Sequence, residues 1–275
     1  HHSPKPILIF KSNIGRLGQS IAMSHTASLT SDDRVVDAAF YQSGILRVRD
    51  ATSLGNSLKI LELPPMRGDR LAVISRSGGH AVIAADACEL SGFKLAHFPE
   101  SFLREIEKHF RASVIKLTNP LDLGDLFDLN VYAQIAEQTL QLEEVDGLVF
   151  LHTAISEAEN RATRMLLERI IELVKKYDKP VAFYVSTSAQ EVVNLKATYP
   201  FPIFTQVVET VRALEMGYAF HTGMGKAHAA DDISTFSVKR ARVRSLLGSA
   251  QAVGRDLLLT EALEVLEHYG IPTLR

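Results

Sequence analysis

Three apolar runs restrict most tightly what this chain can fold into. Leu71-Ala72-Val73-Ile74, the stretch from Gly147 to His152 and Val181-Ala182-Phe183-Tyr184-Val185 are short, β-rich and apolar at nearly every successive position. A strand with one wet face alternates apolar and polar residues, so continuous runs belong to strands buried on both faces. Helical patterns separate them, at 81–90, 131–140, 158–177 and 189–197, and another at 207–220 follows a short strand at Ile203-Phe204. Strands alternating with helices predict an α/β fold with a parallel sheet covered on both faces, a three-layer αβα arrangement.

The same rhythm opens the chain. Pro6-Ile7-Leu8-Ile9-Phe10 reads as a buried strand, and a polar stretch rich in Gly and Ser, read as a loop, runs to about Ser31. Ser31-Asp32-Asp33 then offers an N-cap and an acidic first turn to a helix that carries Val35, Val36, Ala39 and Phe40 and stops at Gly44. Ile45 to Val48 is the next strand. Leu95 to Phe98 and Ser113 to Leu117 also read as extended. Residues 225–258 lose the rhythm and read as a linker with some helix. Thr260-Glu261-Ala262 starts a last amphipathic helix, with Leu263, Leu266 and Tyr269 on one side and Gly270 at its end.

Composition removes several classes of function. The formal net charge is −2, so the basic excess that neutralises nucleic-acid phosphates is missing. No apolar run approaches the ~20 residues that span a bilayer. One cysteine, Cys88, precludes an internal disulfide and suits a reducing, cytoplasmic setting. No His, Cys or carboxylate pair has metal-site spacing. His1-His2-Ser3 reads as a tag remnant, which predicts that the chain begins at a chosen point in a longer protein.

Two polar turns are candidate sites. Ser24-His25-Thr26 lies in the first, between a strand and a capped helix, where an imidazole nitrogen can act as a nucleophile. Read alone, His25 fits better a polar loop histidine with no chemistry. The second, Ser75-Arg76-Ser77-Gly78-Gly79-His80, joins a parallel strand to a helix N-terminus, where open α/β sheets bind ligands. Its glycines permit close backbone approach and the helix end favours phosphate. The alternative is a glycine turn needed only for packing.

Together the motifs resemble the ADP-forming (NDP-forming) acyl-CoA synthetases, relatives of succinyl-CoA synthetase. The residues that carry the resemblance are Lys11-Ser12, Ser24-His25-Thr26-Ala27-Ser28-Leu29-Thr30-Ser31-Asp32 and Gly44-Ile45-Leu46-Arg47-Val48. They continue in Ser77-Gly78-Gly79-His80-Ala81 with Ala84-Ala85-Asp86-Ala87-Cys88-Glu89, in Asn119-Pro120-Leu121-Asp122-Leu123, and in Leu259-Thr260-Glu261 through Tyr269-Gly270-Ile271-Pro272. In order, they cover nearly the whole chain.

The resemblance implies flavodoxin-like ligase domains. Residues 4–48 match the C-terminal part of a first domain carrying the histidine, and 68–223 match a second. A linker would run over 224–258, and 259–275 would be the start of a truncated ATP-grasp domain. The implied reaction interconverts acyl-CoA, ADP and phosphate with carboxylic acid, CoA and ATP through a phosphohistidine at His25. Ser24, Thr26, Ser77, Gly78, Gly79 and His80 would bind the phosphoryl group beneath two converging helix ends. Asn119, Asp122 and Gly124 would lie near the acid, although an Asp that caps a turn explains Asp122 and Asp125 as well.

CoA and ATP or ADP with Mg are the implied substrates of the intact enzyme. Its implied partners are a CoA-binding domain, an ATP-grasp domain or subunit, and further copies of the chain in a homo-oligomer. The fragment alone is expected to be inactive. The alternative is an altered synthetase-like regulatory module of a protein lysine acetyltransferase. Ala27, His80 and Ala81 depart from the family pattern, and a methyl at 27 or 81 would crowd phosphate if positive φ were required. His80 reads as solvent-facing or as an added donor. His152 reads as structural or peripheral, and His97 and His109 as surface or core residues.

Overall fold

A computed structural model describes residues 5–26, 32–110, 117–124, 126–229 and 238–273; the side chains of His25, Thr26 and 224–229 lie outside that description. The chain forms two compact units, residues 1–228 and 229–275.

The first unit holds two parallel sheets. In the smaller, β1 (Leu8–Phe10) pairs with β2 (Leu46–Val48), Leu8 opposite Leu46. Helices α1 (Arg16–Thr26) and α2 (Asp33–Gln42) connect them. The stretch read as one loop to Ser31 is therefore helical from Arg16, and Leu17 and Ile21 form an i,i+4 pair on its exposed side. Gly15 and Gly18 hid this helix from a composition reading. Helix α3 (Ala51–Ile60) follows, unread in the sequence although Asp50 caps it by accepting from the Ser53 amide at 2.7 Å.

The larger sheet contains β3 (Arg70–Ser75), β4 (Lys94–Leu95), β5 (Leu121–Asp122), β6 (Gly147–Thr153), β7 (Val181–Ser186) and β8 (Ile203–Phe204). Its order is β4-β3-β6-β7-β8, all parallel, with β5 also on β3. That is the flavodoxin-like order, which reverses direction between β3 and β6. The connecting helices are α4 (Gly78–Leu90), α5 (Glu100–Glu107), α6 (Leu129–Gln141), α7 (Glu157–Tyr177), α8 (Ala189–Thr198) and α9 (Val207–Ala229). Helix α5 was also unread, although Phe102 and Ile106 are buried at helical spacing. The strand expected at 113–117 falls mostly outside the described residues.

Both faces are covered, as the continuous apolar runs require. Phe150 of β6 stacks on Phe183 of β7 and lies 6.5 Å from Tyr132 of α6. On the other face Tyr184 of β7 meets His80 of α4. Nearly all of β3, β6 and β7 is inaccessible to solvent. In the second unit α10 (Arg240–Ala252) packs on α11 (Leu259–His268), so much of the stretch read as linker is an ordered helix. Among the described residues no helix is long and apolar enough to cross a membrane.

Candidate functional site at the carboxyl edge of the larger sheet

The second predicted turn sits where the sheet order reverses, at the carboxyl end of β3. Ser75 is buried, and its hydroxyl donates to the Ser77 carbonyl at 2.7 Å and accepts from the Ser77 amide at 3.1 Å. This closes the turn and makes Ser77 the N-cap of α4. The Ser77 side chain makes no capping hydrogen bond. The helix starts at Gly78, so Gly78, Gly79 and His80 are its first turn rather than a preceding loop. The first intrahelical bond runs from Ala81 N–H to the Ser77 carbonyl, at 3.0 Å. The three earlier amides have no protein acceptor among the described residues and point outward at the positive end of the helix.

Space for a side chain is tight here. A Cβ on Gly78 would stand 2.9 Å from Asp122 Oδ2, and one on Gly124 would stand 3.1 Å from Asp122 Oδ1. Neither residue has positive φ. The concern over Ala81 is removed likewise, because it is a buried helical residue with ordinary φ. Asp122 accepts from the Gly124 amide at 2.9 Å, the turn-capping role. Its carboxylate lies against Gly78, so a negative charge already stands beside the helix end.

The Asn119 side chain is taken up by backbone groups. Its Oδ1 accepts from the Val73 amide at 2.9 Å, and its Nδ2 donates to the carbonyls of Leu71 at 2.8 Å and Ala96 at 2.9 Å. The side chain fills the gap between β4 and β5 along one edge of β3. Asp125 lies outside the described residues.

His80 is half-buried rather than solvent-facing. Its ring meets Tyr184 edge-on with centroids 5.1 Å apart, Nε2 lies 3.4 Å from the Tyr184 hydroxyl, and Nδ1 is buried without a partner. His152 is a core residue of β6. Nε2 lies 2.9 Å from Thr163 Oγ1, and burial pushes the imidazole down to about 4, so it is neutral.

Sequence reasoning missed Arg76. It crosses from β3 to β6, donating to the Thr153 carbonyl at 2.5 Å and to Glu159 at 2.6 Å. Glu159 also accepts from the Ile155 amide; that bond and then Arg76 hold its carboxyl below the usual range. Only the strand order brings these residues together, so no local spacing reveals them. A cleft of about 480 Å³ opens next to them, between the carboxyl ends of β6 and β7.

The first predicted turn is placed differently. Ser24 is in α1, and its hydroxyl donates to the Ile21 carbonyl at 2.7 Å. The backbone of His25 and Thr26 closes the same helix. The side chains of His25 and Thr26, and residues 27–31 with Ala27, lie outside the described residues. Beyond them Asp32 caps α2 by accepting from the Arg34 amide at 2.9 Å. Arg47 of β2 grips Asp33 through both carboxylate oxygens, at 3.0 and 2.9 Å, and also pairs with Asp37. Lys11 Nζ approaches Asp33 at 3.4 Å. Two of the family-like motifs, Lys11-Ser12 and the strand ending Arg47-Val48, thus meet at the first turn of α2 and hold the Asp33 carboxyl low, Arg47 foremost.

Among the described residues no three His, Cys, Asp or Glu side chains gather as a metal site.

Comparison with known proteins agrees with this architecture. A sequence model of the succinyl-CoA ligase like flavodoxin domain matches residues 1–61. An ADP-forming acetate–CoA ligase II of Archaeoglobus fulgidus is 32% identical over 219 residues, covering 76% of this chain and 32% of that protein. An ADP-forming 4-hydroxybutyrate–CoA ligase of Nitrosopumilus maritimus is 27% identical over 275 residues, covering 98% of this chain and 38% of that protein. The chain therefore spans about a third of the length of these curated relatives. The solved dinucleotide-forming acetyl-coenzyme A synthetase 1 of Ca. Korarchaeum cryptofilum, in complex with phosphate and ADP, superposes with a TM-score of 0.69 at 24% identity, covering 82% of this chain and 49% of that one. In sequence and in fold, this chain is a relative of the ADP-forming acyl-CoA synthetases, with their succinyl-CoA synthetase-like ligase architecture.

Proposed function

We propose that this chain is the ligase-domain portion of an ADP-forming acyl-CoA synthetase and that His25 carries its phosphoryl group. The whole enzyme would interconvert acyl-CoA, ADP and phosphate with carboxylic acid, CoA and ATP. Residues 4–48 and 68–223 would be its two ligase-type domains. The segment 259–275 would open the nucleotide-binding domain, and the CoA-binding portion would be a further partner.

The observation that carries this reading is the start of α4. Its first three amides are uncapped, two belong to glycines, and they lie at the reversal point of a parallel sheet. Such an end offers roughly +0.5 charge to an anion. Asp122 beside Gly78 opposes that charge, which suits a phosphoryl group that must leave again. Magnesium would enter with the nucleotide.

The test uses the full-length protein that contains this chain. Incubated with ATP and Mg²⁺, it is expected to gain an acid-labile phosphate that maps to His25 by mass spectrometry, and His25→Ala is expected to abolish both the label and turnover. A label that persists in His25→Ala, or turnover without any label, overturns the assignment.

A further inference from the structure

A serine at the cap of a helix ordinarily turns its hydroxyl back to accept from one of the first amides. Ser77 does not. Its backbone is extended, as a cap requires, but its side chain makes no capping hydrogen bond. A Cβ on Gly79 would meet Ser77 Oγ at 3.8 Å, so the hydroxyl lies beside the first turn of α4. The amides of Gly78, Gly79 and His80 are left open with it, without a protein acceptor among the described residues.

The turn is held instead from two residues earlier. Ser75 is inaccessible to solvent, and its main chain is clamped within the sheet: its carbonyl accepts from the Leu123 amide at 2.7 Å, and it stands in register with Leu151 of β6. From that fixed point its hydroxyl holds both the amide and the carbonyl of Ser77. Arg76, between them, is anchored through its guanidinium to Thr153 and Glu159. Residues 75, 76 and 77 are thus pinned to the buried sheet, while the polar groups that follow them stay free. Donors fixed in advance need no reorganisation when an anion arrives.

We infer, on the reading that the start of α4 receives the phosphoryl group, that Ser75 is the positioning residue of that site. Its buried hydroxyl fixes the Ser77 backbone in place of a side-chain cap. Ser77 Oγ and the three amides are thereby kept together for the phosphoryl oxygens, which Ser75 itself does not touch. Without the Ser75 hydroxyl the Ser77 backbone loses its tether, and Ser77 Oγ can fold back onto the Gly79 or His80 amide as an ordinary cap. That closes the site to an anion while leaving the sheet in place, so the effect of Ser75 falls on phosphate affinity.

The test titrates the full-length protein that contains this chain with inorganic phosphate and, separately, with Mg²⁺–ADP, by calorimetry. Ser75→Ala is expected to weaken phosphate binding about tenfold and to leave Mg²⁺–ADP binding unchanged. Ser75→Thr, which keeps the hydroxyl, is expected to bind phosphate more tightly than Ser75→Val, which has the same shape without it. Ser77→Ala is expected to weaken phosphate binding and to leave the urea midpoint unchanged, because that hydroxyl does not cap the helix. Equal phosphate affinity in Ser75→Ala and the unmodified protein, a parallel loss of Mg²⁺–ADP binding, a valine variant as good as the threonine variant, or a lowered midpoint in Ser77→Ala overturns the assignment. If Ser75→Ala does not fold, the threonine–valine pair and Ser77→Ala still decide. Acid-labile phosphate at His25 is read separately. With that label present and the Ser75 results negative, only the role of Ser75 falls; an unmodified protein that gains no label and binds no phosphate removes both readings.

Discussion

In the β1–β2 pair, Val48 is the one strand residue closed off from solvent, and no residue of α2 is buried. In β3 five successive residues are buried, and in β6 six. The region that carries His25 is tied down by the Asp33, Arg47 and Lys11 charges, whereas the region that carries Gly78 and Gly79 rests on a dry core. These ion pairs are partly shielded, with Arg47 and Asp33 16% and 18% exposed, so salt weakens them only in part, but they fix few groups, while apolar burial is neither small nor salt-sensitive. The surroundings of the proposed nucleophile can therefore change without disturbing the proposed phosphate-binding turn.

Four substitutions probe that contrast. The largest effect belongs to Phe150→Ala, which empties the stack on Phe183 and should cost ~3–5 kcal/mol in urea unfolding of the larger sheet. Asn119→Ala leaves the Val73 amide and the Ala96 carbonyl without that partner, while the Leu71 carbonyl keeps the Ala96 amide, and should cost about 2 kcal/mol in the same assay. An unchanged midpoint there would return Asn119 to the list of ligand contacts.

His152 supplies a pH signature confined to the core. Its imidazole falls from 6.5 to about 4 on folding, so the unfolded chain takes up the proton first. Stability is then full above pH 6.5 and drops by on the order of 3 kcal/mol as pH falls toward 4. The lowered carboxyls of Glu159 and Glu191 add a loss only as pH falls through about 4.5, and the His221 imidazole, also lowered by burial, adds to the same window with the same sign, so His152 must be removed to isolate its share. His152→Leu should flatten the unfolding midpoint between those pH values; an equally steep profile would assign the proton elsewhere. The smallest effect is Arg47→Met, which should speed hydrogen exchange in α2 but not in β3 or β6, with the difference shrinking in high salt. Faster exchange in both sheets would show that the two regions are not independent.

How much of this was legible in the sequence follows the same division. The parallel core strands were readable because burial on both faces leaves continuous apolar runs at 71–74, 147–152 and 181–185. Helices α1, α3 and α5 were not read: Gly15 and Gly18 dilute the first, and the other two are short segments whose signals are a cap at Asp50 and a single buried i,i+4 pair. At the site, Ser77 to Gly79 could be placed at a helix start by pattern. Arg76 and Tyr184 could not, because each acts on a residue from another strand or helix. Asn119 and Asp122 were found, but their partners are backbone groups of this chain, which no motif spells out.

Asp122 is packed between Gly78 and Gly124. With 2.9 Å and 3.1 Å available, a methyl group on either glycine would press on the Asp122 carboxylate and turn it aside. The carboxylate that opposes the positive end of α4 is thus held in place by the absence of two side chains. A Gly78→Ala change would move that charge before it disturbed the backbone.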